Sequence, residues 1–253
     1  MNTGDGQWVA LYSGGKDSAW ALHQACESGL SVGRLLIVTP APDSWLFHVP
    51  GTRWADTVGK AVGIPTTRGD IGTLDDSGRS SSAHGDHEAA ELERALRRVA
   101  RELDGELAGI ISGAVESSFQ RDRLDALSER LGIEHHAPLW QADPMEAARR
   151  MLDDGFDIHV VAVGAAGLDR SWLGRPFDTA AIDELDDLNR TYGVHPLGEG
   201  GEFETLVIDG PHMDTGLVVD GQRVWDGDRG HVAINEIHLA DATNRPQFIT
   251  DRS

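Results

Sequence analysis

Ser13-Gly14-Gly15-Lys16-Asp17-Ser18 decides how the rest of the chain is read. The apolar run Trp8-Val9-Ala10-Leu11-Tyr12 before it predicts a buried strand, and Asp17 to Cys26 after it carries apolar residues at helical spacing. A strand, a glycine turn and a helix N-terminus in that order make an anion cradle. Gly14 and Gly15 allow positive φ and let a ligand approach the backbone with no Cβ in the way. The first helical amides lack intrahelical partners and point outward with the positive end of the helix dipole behind them. Lys16 adds a mobile positive charge, and Ser13 and Ser18 add hydroxyl donors. The ligand this arrangement predicts is a phosphate or pyrophosphate.

The Walker pattern GxxxxGK[ST] occurs nowhere in the chain. SGGKDS resembles instead the PP-loop of the ATP pyrophosphatases, enzymes that cleave ATP between the α and β phosphates. The competing reading is an ordinary glycine turn with a solvated lysine.

Working outward, Gly33 to Thr39 predicts a second buried strand closed by Pro40 and Pro42. A helix over Asp56 to Gly63 and a third strand starting at Ile64 follow. Gly72 to His87 is rich in Asp, Ser, Gly and His without apolar periodicity, which predicts an exposed loop. His84 and His87 within it are read as solvated rather than metal-binding. Glu88 to Leu103 is helical by the spacing of Leu92, Ala95, Leu96 and Val99, and Leu107 to Ala114 is the next strand. A helix over Ser118 to Leu131 follows it. Strands alternating with helices predict an α/β fold with a doubly wound parallel sheet, whose ligands sit at the carboxyl ends of the strands. SGGKDS, Gly113 and the turn after Ala114 then share one rim.

Near Trp140 the texture changes. A helix over Pro144 to Asp153, a buried strand over Ile158 to Val163 and a polar helix over Asp178 to Tyr192 precede apolar runs between Glu204 and Ala240. Those runs are broken by Asp-Gly and Gly, which predicts antiparallel strands. The expected division is an ATP-binding domain over residues 1–139 and a smaller α+β domain over 140–253.

The chain has 253 residues, with 42 acidic against 22 basic and a formal charge of −20. Such a surface disfavours nucleic acid as a partner. Lys16 and Lys60 are the only lysines, and excess carboxylate with so little lysine predicts a protein adapted to high salt. Cys26 stands alone, so no internal disulfide or cysteine zinc cluster can form; its place in the first helix predicts an inert buried thiol. A polar N-terminus and the lack of any long apolar run predict a soluble, cytoplasmic protein with no membrane contact.

Two further constellations carry chemistry. In Glu116-Ser117-Ser118-Phe119-Gln120-Arg121-Asp122-Arg123, Ser117 or Ser118 is a candidate N-cap. Arg121 and Arg123 sit at the helix end that is unfavourable for cations. That placement suits service to an anion on the rim, or surface ion pairs with Asp122 or Asp125. Gly198-Glu199-Gly200-Gly201-Glu202-Phe203-Glu204-Thr205 puts three carboxylates among glycines. They are an acidic loop, or else ligands for Mg²⁺, attraction for a cationic group and a general base.

SGGKDS, SWLFHVP at Ser44 to Pro50, GAVESSFQRDRLDALSERLG, APLW, GLDRSWLGR and YGVHPLGEGGEFETLVIDGP occur in this order from about Val9 to Pro211. Together they resemble the diphthine–ammonia ligase family. The resemblance implies a HUP-type, Rossmann-like nucleotide-binding domain plus a smaller C-terminal domain. It implies the last step of diphthamide synthesis on translation elongation factor 2. ATP activates the diphthine carboxylate as an acyl-adenylate, ammonia displaces AMP, and pyrophosphate is the other product. Phe119 stands where the family usually has Tyr, so that position has no hydroxyl; Gly51 closes His48-Val49-Pro50-Gly51 where the family has an amide residue.

On that reading Ser13, Gly14, Gly15, Lys16 and Ser18 hold the β,γ-phosphates, and Gly113 lines the nucleotide. Asp17 or a carboxylate of the acidic loop are the candidate ligands for Mg²⁺. Arg121 and Arg123 serve the α-phosphate or the substrate carboxylate, beside Gln120. Glu199, Glu202 and Glu204 receive the trimethylammonium group or the ammonium, with Glu202 and Glu204 as candidate bases. Trp140 and Phe203 are candidate cation–π faces. Two alternatives are a tRNA-modifying PP-loop enzyme, disfavoured because Cys26 has no cysteine partner, and a non-catalytic ATP-binding regulatory module.

Overall fold

A computed structural model describes residues 6–39, 54–70 and 81–250. The SWLFHVP segment, Gly51 and residues 72–80 of the expected loop lie outside the described residues. In chain order the elements are β1 (Gln7–Leu11), α1 (Lys16–Glu27), β2 (Val32–Thr39), α2 (Ala55–Val62), β3 (Thr66–Asp70), α3 (Ser81–Val99), β4 (Leu107–Ile111), α4 (Ser118–Leu131) and β5 (Glu134–His136). Then come α5 (Pro144–Asp153), β6 (Asp157–Val163), α6 (Thr179–Tyr192), β7 (Phe203–Asp209), β8 (Leu217–Asp226), β9 (Arg229–Leu239) and β10 (Gln247–Thr250). The chain forms two compact units. One comprises Met1–Ser13, Asp17–Ala55 and Ile64–Trp140; the other comprises Gly14–Lys16, Asp56–Gly63 and Gln141–Ser253.

The first unit is built on a five-stranded sheet in the order β3-β2-β1-β4-β5, with every pairing parallel. Val9, Leu11, Leu36 and Ile110 from its strands pack with Leu92, Leu96 and Val99 of α3 and Leu124 and Leu127 of α4 in one buried cluster. Burying side chains of this size contributes about 1.5–3 kcal/mol each, which is what holds the helices to the sheet. α4 begins at the Ser117 N-cap, whose hydroxyl accepts from the Gln120 amide, and ends at Gly132 in the left-handed region.

α3 starts seven residues before the expected position, so residues 81–87 are helical rather than loop. Once the apolar face at Leu92, Leu96 and Val99 is docked, each further residue adds one hydrogen bond without a new nucleation cost. Cys26 is exposed near the end of α1, not buried as expected. The core face there is taken by Ala21, Leu22 and Ala25. Partial desolvation, and then the Glu27 charge, push its thiol up, so it stays protonated and unreactive.

The second unit carries a five-stranded sheet in the order β10-β8-β9-β6-β7. β6 pairs antiparallel with β7 and β9, and β8 antiparallel with β9. β10 lies parallel along β8, which the expected antiparallel arrangement did not include. α5 is capped by Asp143 with Pro144 in its first turn, and α6 by Asp178, whose carboxylate accepts from the Ala181 amide. Val160, Phe177, Ile182, Leu185 and Ile208 are among its fully buried side chains. Among the described residues no helix is long and apolar enough to cross a membrane.

Candidate active site

In the first sheet, β2 and β4 flank β1 on opposite sides, so the carboxyl ends of β1 and β4 border the crevice where the chain direction reverses. At this crevice Ser13 and Ser18 close the turn on itself. The Ser13 amide donates to Ser18 Oγ at 3.1 Å, and the two hydroxyl oxygens lie 2.9 Å apart. Gly113, just past β4, is pressed against the first turn of α1. A Cβ at Gly113 would stand 2.7 Å from both the Asp17 carbonyl carbon and the Ser18 nitrogen. Only glycine permits that approach.

Gly14, Gly15 and Lys16 belong with the second unit. Gly14 adopts φ 83°, and its carbonyl accepts from the Val207 amide of β7 at 2.9 Å. The Lys16 amide, one of the orphan donors of α1, donates to Thr205 Oγ1 at 3.1 Å. The side chain is not the mobile charge the sequence suggests. Lys16 is 2% exposed, its Nζ donates to the Leu197 carbonyl at 2.5 Å, and it stands 5.3 Å from the Phe203 ring centroid.

The acidic loop in the same unit is ordered by its own backbone. Glu202 accepts through Oε1 from the His195 amide at 3.0 Å and through Oε2 from the Gly200 amide at 2.8 Å. His195 Nδ1 in turn accepts from the Leu197 amide at 3.1 Å. Glu202 therefore fixes the turn that presents the Leu197 carbonyl to Lys16. Glu199 and Glu204 are each half-buried.

In the first unit the two arginines differ. Arg121 donates from Nε to Asp125 Oδ2 at 2.9 Å and lies 4.9 Å over the Trp140 ring. That Asp125 contact is the ion pair weighed from sequence, and it engages the inner nitrogen of the fork. Arg123 folds back over Phe119 at 3.6 Å and donates from Nη1 to the Phe119 carbonyl at 3.2 Å. Phe119, which lost a hydroxyl, retains a ring that receives a cation. Trp140 and Phe203 thus already face cations of the chain, Arg121 and Lys16.

Sequence reasoning missed two residues here, Ser112 and His135, which join the Asp125 it had named. Ser112 Oγ lies 2.8 Å from His135 Nε2, and His135 Nδ1 lies 2.6 Å from Asp125 Oδ1. No spacing signals this chain of contacts, because the partners sit on β4, β5 and α4 and meet only in the folded sheet.

For Mg²⁺ the donor set is thin. Among the described residues no group of three or more His, Cys, Asp or Glu side chains could hold a metal ion. His87 pairs instead with Glu91 at 3.7 Å. An ion here fits only with most of its oxygen ligands supplied by phosphates, the usual manner of Mg²⁺.

A parallel sheet of this order, with a glycine turn leading from its central strand into a helix, is the frame of a PP-loop, Rossmann-like nucleotide-binding protein. Residues 6–135 match the diphthamide synthase N-terminal domain and residues 143–239 the diphthamide synthase C-terminal domain; the chain belongs to the diphthine–ammonia ligase family. It is 32% identical over 245 residues to the human diphthine–ammonia ligase, covering 92% of this chain and 86% of that one. The cattle enzyme of the same name is 32% identical over 226 residues, covering 85% and 84%, and the zebrafish (Danio rerio) enzyme 31% over 250 residues, covering 93% and 97%. Among solved structures, a "predicted subunit of tRNA methyltransferase" from Methanocaldococcus jannaschii aligns over 81% of this chain and 98% of its own, at 16% identity and a TM-score of 0.41. A likeness that weak carries no functional argument.

Proposed function

We propose that this chain amidates the diphthine carboxylate of translation elongation factor 2, consuming ATP and ammonia and releasing AMP and pyrophosphate. The observation that supports this most directly is the SGGKDS turn at the sheet's reversal point, in a chain of the diphthine–ammonia ligase family. A carboxylate oxygen attacks the α-phosphorus, and the bond from that phosphorus to pyrophosphate breaks. Ammonia nitrogen then attacks the acyl carbon, the carbon–oxygen bond to AMP breaks, and one proton leaves the nitrogen.

Both steps develop negative charge, so preorganised donors contribute most. Ser13, Gly14, Gly15 and Ser18 are assigned to the β,γ-phosphates, with Lys16 as a fixed cation and Gly113 as the close-packed wall. Asp17 is assigned as the protein's contribution to Mg²⁺, which supplies charge neutralisation on the phosphates when bound. Arg121 is assigned the α-phosphate or the substrate carboxylate, since Asp125 engages its Nε and leaves the outer nitrogens in the geometry of a fork. Gln120 and Arg123 complete that side.

Glu199 and Glu204 are assigned to the trimethylammonium group and the incoming ammonium, with Glu204 as proton acceptor. Glu202 acts through the loop it holds. We read the enzyme as cytoplasmic and salt-adapted; the acidic composition supports the salt adaptation and a partner other than nucleic acid.

The test is incubation with ATP, ammonium and diphthine-bearing elongation factor in molar salt, followed by mass analysis of the factor. Conversion of the carboxylate to the amide with one AMP per event is expected. ATP binding without turnover on a verified substrate leaves a regulatory module, and thiolation of tRNA instead would overturn the assignment.

A further inference from the structure

Ser112, His135, Asp125 and Arg121 form a continuous hydrogen-bonded line within the first unit. Ser112 lies next to Gly113, at the end of β4, and is 3% exposed. The His135 side chain is likewise 3% exposed, whereas that of Asp125 is 41% exposed and that of Arg121 26%. The line therefore runs from a buried strand end to a partly accessible guanidinium.

Its proton positions follow from what each partner can do. An ionised Asp125 only accepts, so His135 Nδ1 carries the hydrogen on that side, 2.6 Å away. In the neutral ring Nε2 is then an acceptor, and the Ser112 hydroxyl donates to it at 2.8 Å. The second oxygen of Asp125 accepts from Arg121 Nε at 2.9 Å. The Trp140 ring lies 4.9 Å from the guanidinium carbon. Arg121 is thus fixed by one oriented hydrogen bond and one ring. A long side chain held only by a surface i,i+4 pair would lose much of that order, because such a pair alone contributes little against the entropy of fixing both side chains.

We propose that Ser112, His135 and Asp125 are positioning residues that hold the Arg121 guanidinium for anion binding, with His135 acting as the Nδ1–H tautomer. This rests on the reading that gives Arg121 a reacting anion. The partner groups facing His135 are Ser112 from β4, Asp125 and Arg121 from α4, and His136 from its own strand. Burial disfavours the charged ring, and the Asp125 contact offsets this only in part, which keeps the imidazole neutral near pH 7.

The experiment compares His135→Asn with His135→Gln, plus Asp125→Asn and Arg121→Ala, in the full chain. Readouts are kcat and the ATP KM for AMP formation, thermal midpoint, and the nitrogen chemical shifts of His135. Asn places a donor where Nδ1–H was, so His135→Asn keeps activity within about three-fold. Gln cannot reach Asp125, so His135→Gln loses up to about 100-fold in kcat, the scale of a misplaced catalytic group. Asp125→Asn, altered at a half-exposed side chain, falls by a similar factor. In an Arg121→Ala background these losses vanish, because residues acting as one unit are non-additive. Nitrogen shifts showing an Nε2–H tautomer, equal effects of Asn and Gln, or full additivity with an inactivating Arg121→Ala would overturn the relay while leaving the role of Arg121 intact. A fully active Arg121→Ala would overturn that role itself, and the relay with it.

Discussion

The Lys16 ammonium donates to the Leu197 carbonyl at 2.5 Å, although the two residues lie 181 positions apart in the chain. The lysine of the glycine turn is therefore set by the acidic loop rather than by solvent. Lys16→Ala should remove a buried cation and leave the Leu197 carbonyl short of a donor, costing about 1–3 kcal/mol of stability. AMP release should fall about 100-fold or more, since a preorganised charge is lost where the phosphates develop theirs. Steady-state AMP assays alongside thermal melts check both parts; wild-type turnover would remove Lys16 from the mechanism.

Gly113→Ala tests the close wall. The added methyl meets backbone atoms of Asp17 and Ser18 at 2.7 Å, and backbone cannot swing aside as a side chain can. The expected loss is about 1–3 kcal/mol, the range of overpacking in a tight contact. A higher ATP KM should accompany it, because the shift moves the first turn of α1. Denaturant melts and ATP titration read the two effects. An alanine variant as stable as the parent would mean that the strand end moves freely.

Glu202→Gln separates loop construction from direct chemistry. The amide group retains one acceptor and turns its NH₂ toward a backbone N–H, at His195 or at Gly200, where a carboxylate oxygen stood. About 1.5–3 kcal/mol of stability should go, the scale of a hydrogen bond to a charged group. Activity should fall together with the order of the Lys16 contact. Glu199→Gln should weaken diphthine substrate binding. A Glu202→Gln melt equal to that of the parent would place Glu202 in direct chemistry after all.

Acid should weaken the first unit near its strand β5. Burial, opposed by the Asp125 hydrogen bond, holds the His135 imidazole below its ordinary 6.5, and burial lowers His136 as well. The unfolded chain therefore binds protons first, so stability present above about pH 6.5 is lost as the pH falls below that value. Asp125 responds later. Desolvation raises it, but hydrogen bonds from His135 and Arg121 outweigh this and hold the carboxyl below 3.8, so its contribution is lost only in stronger acid. Thermal midpoints from pH 8 to 5 should decline, and His135→Asn should flatten the slope. An unchanged slope would assign the decline to other groups.

β1, β2 and β4 were legible because apolar residues dominate them, and the turn after β1 because it is dense in glycine. β5 was not, since Glu134, His135 and His136 contain no apolar residue and are strand only by pairing with β4. The early start of α3 was hidden for a related reason: Ser81 to His87 are indifferent helix formers carried by a docked face downstream. At the site, the sequence supplied the residue types and left their partners open. Arg121 and Asp125 share a helix, so their i,i+4 contact was foreseeable. The Lys16–Leu197 and Ser112–His135 contacts depend on strands brought together from distant positions, which no local pattern encodes.

β10 runs alongside β8, with Phe248 stacked on His159 at 4.7 Å. Were these last residues clipped or displaced by a fused tag, the flank of β8 would offer a ladder of unsatisfied amides and carbonyls to any neighbour. β10 is itself the edge of that sheet, but at four residues it leaves a far shorter open ladder than the ten-residue β8 would, and so gives a neighbouring chain less to pair with.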